Sequence, residues 1–120
     1  MMSSKYELRI NILKNRDYES AINQLHEDFM YIREEGLVSR EEYIEYARED
    51  LEGANKLIFL DFKCVVENED SLVWQDLFDD QQGKRWITTT YEAYKDKKVW
   101  RTMLNKKEVG KDVELSLIHI

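Results

Sequence analysis

Proline does not occur in this chain, and cysteine occurs once, at Cys64. The first absence excludes a proline-rich linker or recognition arm. The second excludes an intramolecular disulfide framework and fits a reducing compartment; Cys64 lies in an apolar run, where a free thiol is expected to behave as a small hydrophobe. The four glycines, Gly36, Gly53, Gly83 and Gly110, are spread as punctuation rather than gathered into a phosphate-cradling loop. No apolar run is long enough to cross a bilayer, and the opening stretch MMSSKYELRINILKNRDYES lacks the unbroken apolar core of a signal peptide. A cytoplasmic protein with no membrane partner is the expectation. Positive charge is also short: the net charge is −7, the wrong sign for a general nucleic-acid binder. The late cluster Lys95, Lys97, Lys98, Arg101, Lys106 and Lys107 reads as the solvated rim of a hairpin.

What remains is plentiful in both apolar and charged residues, and 120 residues suffice for one domain with one core. Ser4 followed by Glu7 reads as a capping box, with Tyr6, Ile10 and Leu13 at helical spacing behind it. Asp17 can serve as a new N-cap, followed by the stripe Tyr18, Ala21, Ile22 and Leu25, so the chain is expected to open with a bent helix or two short ones. Phe29 to Ile32 suit a short strand, Glu34-Glu35-Gly36 a turn, and Ser39-Arg40-Glu41-Glu42 a further capping box with Val38 and Tyr43 placed as a hydrophobic staple. That helix carries Ile44, Ala47 and Leu51 on one face, acids on the other, and Gly53 as its stop.

From Lys56 the apolar period falls to two. LIFLDFKCVVE, SLVWQDLFD, KRWITTTYEAY and KVWRTMLNK read as four strands separated by turns at 68–70, 80–83 and 96–97. Short turns make consecutive strands antiparallel. The fold class is therefore α+β, with helices on one face of a curved antiparallel sheet. The domain is expected to span residues 1–110. The tail at 111–120, ending DVELSLIHI, has no turn signal and resembles a translated sequencing adapter; on that reading the natural ending is lost near Gly110 and His119 has no evolved role.

Two stretches carry a resemblance. The pattern ED-F-x-Y-I at 27–32, a glycine turn, and S-R-E-E-Y-I at 39–44 resemble the superfamily named after nuclear transport factor 2, above all its SnoaL-like and uncharacterised branches. Val99-Trp100-Arg101 after a lysine-rich turn is similar to the G-K-W-R that opens that superfamily's last strand. The resemblance spans about residues 5 to 107. It implies a cone-like sheet wrapped around the N-terminal helices (a cystatin-like α+β roll) and a homodimer formed through the sheet. Many members carry histidine after the tryptophan, where this chain has Thr102, Met103, Leu104 and Asn105. Ketosteroid-isomerase relatives use an aspartate base and an acidic hydrogen-bond donor in an apolar pocket; no catalytic role transfers residue by residue.

His26, Glu27 and Asp28 look like a metal site, but adjacent residues do not converge on one ion. We read them as scaffold: the polar end of a helix leading into a strand. The acids of 41–50 lack the spacing and glycine of a calcium loop. No GxSxG, P-loop, CxxC or HExxH occurs, so neither metal nor cofactor is expected. Acids among aromatics on strands are the better candidates. A turn at Glu69-Asp70 sets Lys63 opposite Asp76, Val65 opposite Trp74 and Asp61 opposite Phe78. That register places Asp61 and Asp76 on one face with Phe59, Trp74 and Phe78, continued by Trp86, Thr88 and Thr90. The face reads either as a ligand pocket with Asp61 or Asp76 as proton shuttle and Tyr31 or Tyr91 as hydroxyl donor, or as an outer surface or dimer interface. Two function classes follow. One is a small-molecule binder, either a carrier or a cofactor-free isomerase, cyclase or dehydratase, acting on an apolar or aromatic ligand. The other is a non-catalytic association or ligand-sensing module, whose cavity its own Trp and Phe side chains would fill.

Overall fold

The Ser4 hydroxyl accepts from the Glu7 N–H at 3.0 Å and starts helix α1, Lys5–Asn15. Arg16 closes it in the left-handed region, φ 52°, and Asp17 caps the short α2, Tyr18–Asn23, by accepting from the Ser20 N–H. Of the two expected openings, the chain takes two separate helices rather than one bent one. The computed structural model describes residues 4–33, 35–53 and 57–115; Glu34 of the expected turn and His119 of the tail lie outside them.

Strand β1, Leu25–Arg33, leads through a turn to β2, Gly36–Ser39, and then to α3, Arg40–Leu51. The Ser39 box is complete: its hydroxyl accepts from the Glu42 N–H at 3.2 Å, and the Glu42 carboxylate accepts from the Ser39 N–H at 3.3 Å. Strands β3, Ile58–Glu67, β4, Ser71–Asp79, β5, Arg85–Lys95, and β6, Lys98–Val109, follow as the expected meander. The sheet is curved and open, ordered β2-β1-β6-β5-β4-β3. It is α+β but mixed rather than wholly antiparallel, because β1 lies parallel to β6. Leu25 also belongs to β1 rather than to the α2 stripe: it sits opposite Val99, whose N–H donates to the Gln24 carbonyl at 2.8 Å.

The inner face packs on the helices. Leu25, Phe29 and Val99 form its buried nucleus, with Tyr43 and Ile44 of α3 against them; the Phe29 and Tyr43 rings lie 4.7 Å apart. Arg16 draws the ends of α3 and β3 together by donating to the carbonyls of Asp50 and Leu57. On the outer face Leu77 and Ile87 are covered by Val109, Val113 and Leu115, so residues 111–115 of the tail lie against the sheet. Among the described residues no helix is long and apolar enough to cross a membrane.

The expected β3–β4 register holds only beside the turn. Glu67 opposes Leu72 and Val66 opposes Val73, as a turn at Glu69-Asp70 requires. A bulge between Cys64 and Val66 then adds one residue to β3, and a second lies between Phe59 and Asp61. Phe62 therefore faces Asp76, Cys64 faces Trp74, Lys63 faces Gln75 and Asp61 faces Leu77. A one-residue slip moves a side chain to the opposite face, and this removes Asp61 from the company of Asp76. Cys64 is exposed, not a buried hydrophobe.

Candidate functional site

A cavity of about 410 Å³ lies between the inner face and the helices. The helices close it with Arg9, Ile12 and Leu13 from α1 and Tyr43, Ala47, Asp50 and Leu51 from α3. Leu57, Phe59, Phe78 and Leu104 add apolar wall, and Tyr31 and Arg33 reach in from β1.

The floor is a ladder of alternating positions on β4 and β5. Asp76 opposes Thr88, Trp74 opposes Thr90 and Leu72 opposes Glu92 on successive inward-facing rungs. Asp76 is buried, and its Oδ1 accepts from the Thr88 hydroxyl at 2.5 Å. Burial pushes its carboxyl up to about 7; the Thr88 hydrogen bond opposes the rise, and the charge of Asp50 adds to it. Asp50 stands at the mouth. Burial against the wall raises its carboxyl to about 6, Lys106 pulls it down, and the charge of Glu49 adds to the rise.

At the deep end Arg9 and Glu92 form a buried two-pronged pair, Nη2 to Oε2 at 2.9 Å and Nε to Oε1 at 3.3 Å. The Tyr94 hydroxyl also donates to Glu92 at 3.3 Å. Burial works to discharge the Arg9 guanidinium, but Glu92 holds it well above its ordinary value. Burial raises the Tyr43 hydroxyl to about 12, so it stays protonated. Losing either partner of such a pair strands a buried charge at a cost of about 3–5 kcal/mol, so Arg9 and Glu92 clamp α1 to the sheet.

Of the residues singled out from sequence, Tyr31, Phe59, Trp74, Asp76 and Thr88 line the cavity, and Thr90 with them. Asp61 is exposed on β3 and accepts from the Phe62 N–H at 2.8 Å. Tyr91 is exposed on the outer face, one residue out of phase with Thr90 and Glu92. Trp86 shares the inward phase but stands outside the cavity wall: its indole N–H donates to Asp80 at 3.0 Å and Lys106 lies over its ring at 4.3 Å. His26 lies in β1, not at a helix end; it is buried, with Nδ1 accepting from the Asp28 N–H at 2.9 Å and Nε2 lying 3.5 Å from Asp96. Lys106, assigned from sequence to a solvated rim, also lines the cavity. Arg9, Tyr43, Asp50, Glu92 and Thr102 were not foreseen; Glu92 alone carried a local signal, as the next step in the 86-88-90 alternation.

No family model and no curated protein matches the chain. Solved structures do. A candidate ketosteroid isomerase from Kribbella flavida superposes with a TM-score of 0.67 at 15% identity, over 96% of this chain and 85% of that one. A nuclear transport factor 2-like protein of unknown function from Cytophaga hutchinsonii gives 0.60 at 15%, covering 85% and 86%. The chain has the nuclear transport factor 2-like fold. A SnoaL-like protein of unknown function from Burkholderia thailandensis shares it, with a TM-score of 0.58 at 13% identity over 87% and 90% of the two chains. In this nuclear transport factor 2-like cone the cavity occupies the space between sheet and helices, and the acid of Asp76 faces it from the sheet.

Proposed function

We propose that the chain binds a small, largely apolar molecule in this cavity and that Asp76 moves a proton on it without a cofactor, as an isomerase, cyclase or dehydratase would. The supporting observation is Asp76 itself: a buried carboxyl beside Thr88, lifted to about 7 in a chamber walled by Phe59, Trp74 and Phe78. A base is most effective when its pKa lies near the working pH, and burial is the means of raising a carboxylate. The candidate ketosteroid isomerase that shares the fold is consistent with proton transfer as the chemistry. An association module would fill its cavity with its own aromatics; a volume of about 410 Å³ favours the binder.

A model reaction tests the base without knowledge of the natural substrate. In the ring opening of 5-nitrobenzisoxazole a carboxylate takes the C3 proton, the N–O bond breaks to leave a phenolate, and a nitrile forms. Turnover should rise with pH to a plateau above about 7. Asp76→Asn should lower it by about 100-fold or more, the usual size of general-base catalysis. Undiminished turnover in that variant would remove Asp76 from the role.

Association is proposed beside binding, not instead of it. Val66, Val73, Tyr91, Met103 and Ile32 are successive cross-strand neighbours, forming one apolar row over β3, β4, β5, β6 and β1. Val66, Tyr91 and Met103 are exposed. The row supports a homodimer formed through the outer face, which leaves the cavity free.

A further inference from the structure

Among the described residues, three polar atoms in the cavity wall have no hydrogen-bond partner: the Trp74 indole N–H and the hydroxyls of Thr90 and Thr102. Their residues are only 6%, 4% and 2% exposed. Buried polar groups are nearly always paired, because an unpaired one keeps its desolvation penalty uncompensated. Three on one wall of one cavity call for a common partner. An indole nitrogen can only donate, so the partner must supply an acceptor.

The strand register places them together. Trp74 and Thr90 are directly opposed across β4 and β5, and Thr102 on β6 opposes Glu92, which makes it the diagonal neighbour of Thr90. Asp76 is one inward-facing rung away from Trp74 on the same strand, roughly 7 Å along it. The apolar wall of Phe59 and Phe78 lies on the other side of Asp76.

We propose that Trp74, Thr90 and Thr102 form an acceptor-binding subsite for one compact oxygen of the ligand, a carbonyl or hydroxyl oxygen, and so fix which way round the ligand lies. This rests on the cavity being a ligand site, as argued above. The ligand enters with its oxygen toward the deep end and its apolar body along Phe59 and Phe78. The carbon that Asp76 faces is then a few bonds from that oxygen, not the atom bonded to it. The ligand class is a small apolar molecule with a single oxygen function at one end.

The test uses a matched pair, 1-tetralone and tetralin, which differ by one carbonyl oxygen. Binding is followed on the tryptophan indole N–H resonances of nitrogen-labelled protein. Tetralone should shift the Trp74 indole proton downfield, as a new hydrogen bond does, while tetralin leaves it near its free position. In the double variant Thr90→Val/Thr102→Val, checked for its fold by circular dichroism, and separately in Trp74→Phe, the tetralone-to-tetralin affinity ratio should fall about tenfold, the worth of one ordinary hydrogen bond. An unchanged ratio together with an unmoved Trp74 resonance would overturn the subsite and leave the cavity reading intact. Binding of neither compound would overturn both. A wild type with no benzisoxazole turnover but with the ketone preference would sink the proton-transfer role and leave the subsite standing.

Discussion

Asp76 sets a pH dependence that can be worked out from its surroundings. Its carboxyl titrates at about 7 in the folded protein against 3.8 when free, so between those values the folded state holds a proton that the unfolded chain has released. The stability this contributes is fully present below about 4, is lost as pH rises toward 7, and is flat beyond. The slope approaches roughly 1.4 kcal/mol per pH unit inside the window. Asp76→Asn should abolish it: the stability of the wild type minus that of the variant, from urea unfolding at pH 5 and pH 8, should be lower at pH 8. A pH-independent difference would mean that Asp76 is not held protonated. Thr88→Val removes the hydrogen bond that holds the carboxyl down, so the wild-type midpoint should move upward in that variant. Trp74, Asp76 and Thr88 were legible because β4 and β5 alternate cleanly through SLVWQDLFD and ITTTY. Arg9 was not, because its partner Glu92 is 83 residues away and nothing near Arg9 in sequence announces it.

Elements were legible wherever their signal is local. The Ser39 box, the Asp17 cap and the turns between β3, β4, β5 and β6 all rest on a few adjacent residues. The parallel pairing of β1 with β6 does not, since it joins Met30 to Arg101 across most of the chain. The bulges in β3 also escaped, because LIFLDFKCVVE contains no glycine to mark them. The one between Cys64 and Val66 is the physical reason that Asp61 and Asp76, on one face in an unbulged register, end on opposite faces. The β5–β6 hairpin shows the reverse case, a turn whose position is plain but whose residues are suboptimal. Asp96 and Lys97 have φ of 54° and 66°, the pattern of a two-residue turn that prefers Asn-Gly. Asp96 lies 3.5 Å from His26, whereas Lys97 holds a left-handed conformation with a Cβ. Lys97→Gly should therefore stabilise the fold by up to about 1 kcal/mol, the relief of that strain less the added freedom of the unfolded chain. The expected reading is a higher urea midpoint with an unchanged slope; a lower midpoint would show that the lysine side chain contributes more than its backbone costs.

At the scale of the whole molecule the sheet presents two different faces. Inward it carries the polar ladder of Asp76, Thr88, Thr90 and Glu92 under the helices; outward it carries the apolar row from Val66 to Ile32. A sheet with helices on one side only should be polar on the other, so exposed Val66, Tyr91 and Met103 are the feature that a second copy would explain. Sedimentation equilibrium at micromolar concentration should give twice the chain mass. Met103→Lys sets a charge within the row, once per protomer, and each uncompensated charge buried in the contact costs several kcal/mol. The variant should dissociate at least 100-fold more readily, about 2.7 kcal/mol by the usual conversion. Because Met103 points away from Thr102 and Leu104, which line the cavity, the monomeric variant should keep its benzisoxazole turnover. A wild type that stays monomeric at one hundred micromolar would sink the outer-face dimer. Loss of dimer and turnover together would show instead that the open sheet needs its partner to hold the curvature on which the cavity depends.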